Sequence, residues 1–235
     1  MKQINATDHR KLPSGFHLEH TANHVHLAFD RPCPVLSSAV LNGGFLEARH
    51  IVNLKVDKGF GDSQSPSQPP HASLADYCRR QGWRGAAVGM MTAASMDSFR
   101  LTRRAEQDIE IIVLVTCGLS NPRRAGDPAD QRHMAPSPPA AGTINTIVLT
   151  TASLTPPAMV EAVVIATEAK AAAMQTLGVT SPLSRGLATG TGTDAIAVAC
   201  RKAGKPLHYC GKHLLFGEIL ARLVIEGLCA SVGTA

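Results

Sequence analysis

The stretch Ile109 to Leu119, IEIIVLVTCGL, limits most strongly what this chain can fold into. After Glu110 no charged side chain interrupts it, and its β-branched residues favour an extended strand. A strand with no polar face has to be covered on both sides. AIAVAC (Ala195–Cys200) reads as another buried strand and TINTIVLTTA (Thr143–Ala152) as a third. Further strands are expected in HLEHTANHVHLAF (His17–Phe29), PVLSSAVLNGGF (Pro34–Phe45), ARHIVNLKV (Ala48–Val56), AAVGMMTAA (Ala86–Ala94) and LHYCG (Leu207–Gly211).

Helix signals are fewer. SLADYCRRQG offers Ser73 as an N-cap and Gly82 as a stop. Thr155 offers an N-cap with Pro156 in the first helical position, and that helix is expected to run to about Gly178. Its apolar face is read as Val160, Val163, Val164, Thr167, Ala171 and Met174, while Ala166, Ala169, Ala171, Ala172 and Ala173 permit close packing on a sheet. A last helix spans roughly Leu214 to Ala230. Strands outnumber helices and arrive in consecutive groups, which predicts an α+β fold: one domain over residues 1–235, with a mixed or antiparallel sheet covered by a few helices. Residues 1–16 are expected to be a flexible N-terminus, GDSQSPSQPPH a loop, and residues 120–142 a long loop of the kind that usually serves function.

Composition narrows the function. The net charge of +5 is modest, and only 4% of the residues are aromatic. The arginines Arg100, Arg103, Arg104, Arg123 and Arg124 therefore have few rings among them to build a stacking platform, which argues against a nucleic-acid partner. The six cysteines form no C-x-x-C pair and do not read as a disulfide framework. No apolar leader opens the chain, and Arg222 and Glu226 interrupt the C-terminal apolar run, so neither a signal peptide nor a membrane span is expected and the compartment is read as cytoplasmic.

Several residues are candidates for chemistry. ATGTGTD (Ala188–Asp194) has glycines that let a backbone approach a ligand, but no lysine of a P-loop and no third glycine of a dinucleotide fingerprint. His17, His20, His24 and His26, with Glu19 and Asp30 nearby, match no standard zinc spacing, so a metal requirement stays unknown. Cys117 ends a buried strand and reads as a small hydrophobe as readily as a nucleophile. Ser120 and Asn121, at the mouth of the long loop, are better placed to hold a ligand. Asn145 interrupts an apolar strand and must find partners if buried. Glu168 lies at the edge of its helix's apolar face. Glu218 either pairs with Arg222 four residues on or acts in the first helical turn beside His213.

Five stretches in order, VLSSAVLNGGFLEARHIVNLKV, GMMTAAS…LVTCGLSNPRRAGD, GTINTIVLTTASLTPPAMVEAVVIATEAKAAAMQTLGV, ATGTGTDAIAVAC and HYCGKHLLFGEILARLVIE, resemble the adenosylcobinamide amidohydrolases over about Pro34 to Ser231. The resemblance implies a corrinoid-salvage enzyme that cuts the amide between the aminopropanol arm and the corrin ring of adenosylcobinamide, giving adenosylcobyric acid. It implies a small-molecule corrinoid partner, with the cobalt belonging to the substrate. The chain contains no D-x-H-x-x-G corrinoid motif, and no further cofactor is implied. The family commonly has a small residue where Cys117 stands, and its loop after Arg124 is shorter; the resemblance assigns no nucleophile. It leaves a homo-oligomer open.

Amide hydrolysis needs a nucleophile, oxyanion stabilisation and protonation of the leaving amine. Glu218 or Glu168 is read as the base for water, Asp194 as its orienting partner, and His213 or His50 as the acid. Backbone N–H groups around Gly190, Thr191, Gly192 and Thr193, assisted by Asn145, are read as the oxyanion site. Thr143, Asn145, Ser120, Asn121, His50 and Asn53 complete the substrate-binding set. Two alternatives stay open: a non-catalytic corrinoid-binding protein, and an acyltransferase or self-processing hydrolase with Thr143 or Thr146 as nucleophile.

Overall fold

The computed structural model describes residues 8–12, 15–57, 68–130, 143–202 and 204–233. In chain order the elements are β1 (Asp8–Leu12), β2 (Phe16–His20), β3 (His24–Ser37), β4 (Gly44–Lys55), α1 (Pro70–Arg80), β5 (Ala87–Thr92), β6 (Arg100–Glu106), β7 (Ile109–Cys117), β8 (Pro122–Arg123), β9 (Ile144–Ser153), α2 (Pro156–Thr176), β10 (Gly190–Thr191), β11 (Ala195–Arg201) and α3 (Leu215–Val232). The main sheet runs β1-β2-β3-β11-β9-β7-β6, and β4 pairs with both β3 and β5. It is mixed: β9 lies parallel to β11 and β4 parallel to β5, while the other pairs are antiparallel.

β3 joins two layers. Its first half pairs with β2 and its last residues, Val35–Ser37, with β11, while β4 follows both halves across a register shift between Ala28 and Cys33. Side chains alternate across a strand, so one residue in two faces the partner layer. Between the layers pack Leu27, Ile51, Val88 and Met90 from one side and Ile112, Leu114, Ile147 and Leu149 from the other. On the outer face of β7, β9 and β11, residues Val113, Val115, Val148 and Val198 meet α2 and α3. On the outer face of β4, Val52 and Leu54 meet Leu74 and Cys78 of α1. Ile111 to Cys117 is buried on both faces, as its composition requires.

The α2 signals hold locally: the Thr155 hydroxyl accepts from the Ala158 N–H, Pro156 opens the helix, and Gly178 takes φ +65° just beyond it. Its buried face differs from the expected one. Ala158, Ala162, Ala166, Ala169 and Ala173 line it with Met159, Ile165 and Met174, while Val160 and Val164 are about half exposed. Small side chains fill that face because they let α2 sit close to its main neighbour, α3, while it also covers β11.

Four further expectations are corrected. α1 starts at Pro70 behind Pro69, three residues before Ser73, because proline fixes the first helical turn there. The segments after His24 and after Pro34 are one fourteen-residue strand. LHYCG is not a strand; only Leu207 bridges, to Leu154. RLTRRAE, read as an arginine cluster, is the edge strand β6, where outward charge discourages further pairing. Within 1–16, strand β1 begins at Asp8, and residues 1–7 lie outside the described residues. Most of GDSQSPSQPPH and residues 131–142 of the long loop also lie outside them; the loop's opening forms β8, which pairs with β10.

Candidate active site

One end of the sandwich gathers the start of β9, the start of β11, the end of β7 and the ends of β4 and β5. Parallel pairing of Ala195 with Asn145 and antiparallel pairing of Asn145 with Thr116 fix this meeting point. The Thr143 hydroxyl lies 2.7 Å from the Thr193 hydroxyl, and the Thr143 carbonyl accepts from the Gly118 N–H at 3.0 Å. Beside them Asp194 accepts from the N–H groups of Ile144 and Thr191, from the Thr191 hydroxyl and from the Lys170 ammonium of α2. Asp194 thus clamps β9, the β10–β11 turn and α2 together.

The glycines of TGTGTD serve this clamp. A side chain at Gly190 would collide with the Asp194 carboxylate and Lys170, and one at Gly192 would come within 2.7 Å of the Asn121 amide. Neither glycine has a positive φ. The close approach is by the protein's own side chains. The expectation of an oxyanion site along Gly190–Thr193 is corrected at two positions: the Thr191 N–H is given to Asp194 and the Gly192 N–H to the Asn121 carbonyl at 3.3 Å.

Behind this cluster, between the layers, lies a second polar group. Asn145 donates from one amide nitrogen to Asn53 Oδ1 and to the Met91 carbonyl, both at 2.8 Å, and Asn53 donates to the Thr116 hydroxyl at 2.7 Å. All three side chains are buried, and Asn145 Oδ1 has no hydrogen-bond partner. The Met91 carbonyl can only accept, which fixes the amide's orientation. Asn145 therefore stitches the layers with its donors and leaves an acceptor over, so its expected help to an oxyanion, which needs a donor, is corrected.

A cleft of about 540 Å³ opens at the same end, with Lys55, Asp57, Ala94, Cys117, Gly118 and Ser120 in its walls. That volume falls within the ordinary range for small-molecule sites, ~300–1,000 Å³. A cleft of about 560 Å³ at the opposite end of β11, against Phe16, Asp30, Arg31 and Arg201, contains none of the expected site residues. Burial, with Asp194 adding negative charge, pushes the Cys117 thiol up to about 12, so it stays protonated and poorly nucleophilic at neutral pH.

The remaining expected residues lie elsewhere. Glu218 sits in the first turn of α3, half exposed, with Arg222 at 3.0 Å; the other end of that helix, Val232, borders the cleft. Fourteen residues of helix separate the two, roughly 21 Å of axis. Glu168 is half exposed on α2 and pairs with Lys212. His213 is exposed just before α3. His50 is buried on the outer face of β4, with Nδ1 3.1 Å from His26 and Nε2 2.9 Å from the Arg84 carbonyl. The assignments of Glu218 and His50 to one reaction centre with Asp194 are thus corrected, since both lie elsewhere in the fold, while Glu168 and His213 make no bond to Asp194 among the described residues. Lys170, Thr116 and the backbone at Gly118 had not been singled out. Only Lys170 had a local signal, as the lone cation of the alanine-rich helix α2. Among the described residues no group of three His, Cys, Asp or Glu side chains is arranged to hold a metal.

A family profile described as adenosylcobinamide amidohydrolase matches residues 9–235. The chain belongs to the adenosylcobinamide amidohydrolase family. It is an amide hydrolase. An adenosylcobinamide amidohydrolase of Methanosarcina mazei is 28% identical over 83% of this chain and 88% of its own length. An uncharacterised protein of Methanocaldococcus jannaschii is 33% identical over 79% and 78%. Among solved structures, a Burkholderia beta-aminopeptidase matches 97% of this chain and 82% of its own, at 12% identity and a TM-score of 0.48. No described helix of this amidohydrolase is long and apolar enough to cross a membrane.

Proposed function

We propose that this amidohydrolase cleaves the amide joining the aminopropanol arm to the corrin ring of adenosylcobinamide, releasing aminopropanol and adenosylcobyric acid for cobalamin salvage. The observation that carries this reading is the family match over nearly the whole chain. The geometry favours the Thr143 hydroxyl over a water activated by Glu218. Thr143 stands at the end of the sandwich beside the cleft, its oxygen 2.7 Å from the Thr193 hydroxyl, which gives its proton somewhere to go. In the proposed sequence the Thr143 oxygen attacks the amide carbon and the C–N bond breaks. The hydroxyl proton passes through Thr193 to the departing amine. Water then splits the ester, leaving the corrin carboxylate and restoring the hydroxyl. Asp194 positions the centre by fixing the Ile144 and Thr191 backbone, and touches no reacting atom in this scheme.

Incubation with adenosylcobinamide, followed by mass spectrometry of the products, tests the reaction. Free aminopropanol with adenosylcobyric acid is expected, with or without chelator. An intact substrate after prolonged incubation with folded protein would overturn the substrate assignment.

A further inference from the structure

A group of buried rings lies away from the cleft, on the outer face of β3 and β4 beneath α1. His24, His26 and His50 are all buried there, and the Trp83 indole stacks on His26 at 3.6 Å between centroids and 13° between planes. Hydrogen-bonding rules set the proton positions. The Arg84 carbonyl can only accept, so His50 Nε2 carries the hydrogen and its Nδ1 accepts from His26 Nε2–H. His26 Nδ1 is then a bare lone pair, and it faces Glu19 Oε2 at 3.5 Å. The same carboxylate oxygen lies 3.6 Å from His24 Nε2, a buried nitrogen with no hydrogen-bond partner. The other nitrogen of His24 is 2.8 Å from the Tyr77 hydroxyl of α1.

Two imidazole nitrogens thus face one carboxylate oxygen at the limit of hydrogen-bonding distance. A lone pair opposite a carboxylate repels it, and a proton placed between them would bind both, but only by charging a ring out of reach of water. Burial opposes that charge. It pushes His26 down to about 3, with His50 and His24 adding like charge, and it lowers His24 as well, against the pull of Glu19. The titratable and charged groups around these rings are Glu19 and His20 on β2, His50 on β4, and Tyr77, Cys78 and Arg80 on α1. The cheapest way to hydrate a charged ring is to move the cover. That cover is a short helix without a side-chain N-cap, followed by Trp83 and the Arg84 carbonyl.

We propose that Glu19, His24, His26 and His50 form an acid-sensitive latch for the segment from α1 to Arg84. With the imidazoles neutral the segment stays seated on the sheet. On protonation it lifts, unstacks Trp83 from His26 and exposes the rings to water. The open form takes up protons on His24 and His26 at the ordinary imidazole value and the seated form resists them there, so acid draws the equilibrium toward the open form.

Trp83 is the only tryptophan of the chain and reports on the latch directly. The full chain is titrated from pH 8 downward, with tryptophan emission and far-ultraviolet circular dichroism recorded together. A red shift in emission is expected between 6.5, the ordinary imidazole value, and about 3, while the dichroism still shows a folded chain. Amide exchange in residues 70–84 should rise about tenfold or more over the same range. His26→Phe keeps a ring under Trp83 but cannot charge, and should move the midpoint down by about one pH unit or more. His26→Gln serves the same purpose should the first variant not fold. The proposal is overturned if emission stays constant until the dichroism collapses, or if both variants keep the parent midpoint. It is also overturned if zinc or chelator shifts the curve, which would make this an ion site rather than a proton site.

Discussion

At the scale of single residues, the proposed chemistry rests on a hydroxyl and the stability of the site on a carboxylate. If Thr143 is the nucleophile, Thr143→Ala should lose at least about a hundredfold in turnover while Thr143→Ser keeps measurable activity, because serine retains the attacking oxygen. The check is product formation by both variants at equal folded concentration. Asp194 predicts a different pattern. Its carboxylate satisfies two backbone N–H groups, the Thr191 hydroxyl and Lys170, and little of it is exposed. Asp194→Ala strands those donors, which should cost about 2–4 kcal/mol of stability along with activity. Denaturant midpoints separate this from Thr143→Ala, whose stability should change little. Cys117→Ala should leave turnover within a few fold, since a thiol held at about 12 offers almost no thiolate. A collapse of turnover in a folded Cys117→Ala protein would restore the cysteine as nucleophile.

At the scale of elements, what was legible in the sequence is what depends on local chemistry. The cap and proline of α2, the stop at Gly178 and the strand β7, buried from Ile111 to its end, were readable, because each signal sits within a few residues of its effect. The buried side of α2 was not. Valine scores as apolar anywhere, and only the close approach of α3 makes alanine the better fit. β6 was missed because an edge strand can carry arginines on its open side. Thr143, Asn145 and Asp194 meet at one end of the sandwich, yet nothing local shows that Asn145 spends its donors inside the fold. Glu218 shows the same limit from the other side: a first-turn acid looks functional until the helix direction places its far end at the cleft. Glu218→Gln should accordingly keep turnover within about threefold of the parent. Its ion pair with Arg222 is exposed and worth only ~0.3–0.5 kcal/mol. A loss of a hundredfold would put the base back on α3.

At the scale of the whole molecule, both faces of a two-layer sheet are closed by helices, and ionisable groups caught in those interfaces set the pH range of stability. His26 and His24 have folded-state values below that of free imidazole. Between pH 6.5 and about 3 the unfolded chain therefore binds more protons than the folded one. Stability rises with pH through that window and is fully present above it. The buried thiols act at the other end. Burial pushes Cys33 up to about 11, and Cys117 and Cys210 to about 12, against 9.0 for a free thiol. From pH 9 upward the unfolded chain loses these protons while the folded chain holds them, so stability falls as pH rises through the folded values. The expected melting profile is a plateau between roughly pH 6.5 and 9 with a decline on each side. For a chain of this size each kcal/mol lost lowers Tm by roughly 2–4 °C, which differential scanning calorimetry resolves. The two limbs have different owners, so they should respond to different substitutions. His26→Phe should make the acid limb shallower, with His24 keeping its share, and leave the alkaline one, and Cys117→Ala should make only the alkaline limb shallower, with Cys33 and Cys210 keeping theirs. A single variant that changed both limbs equally would mean that a general charge effect, rather than these buried groups, sets the profile.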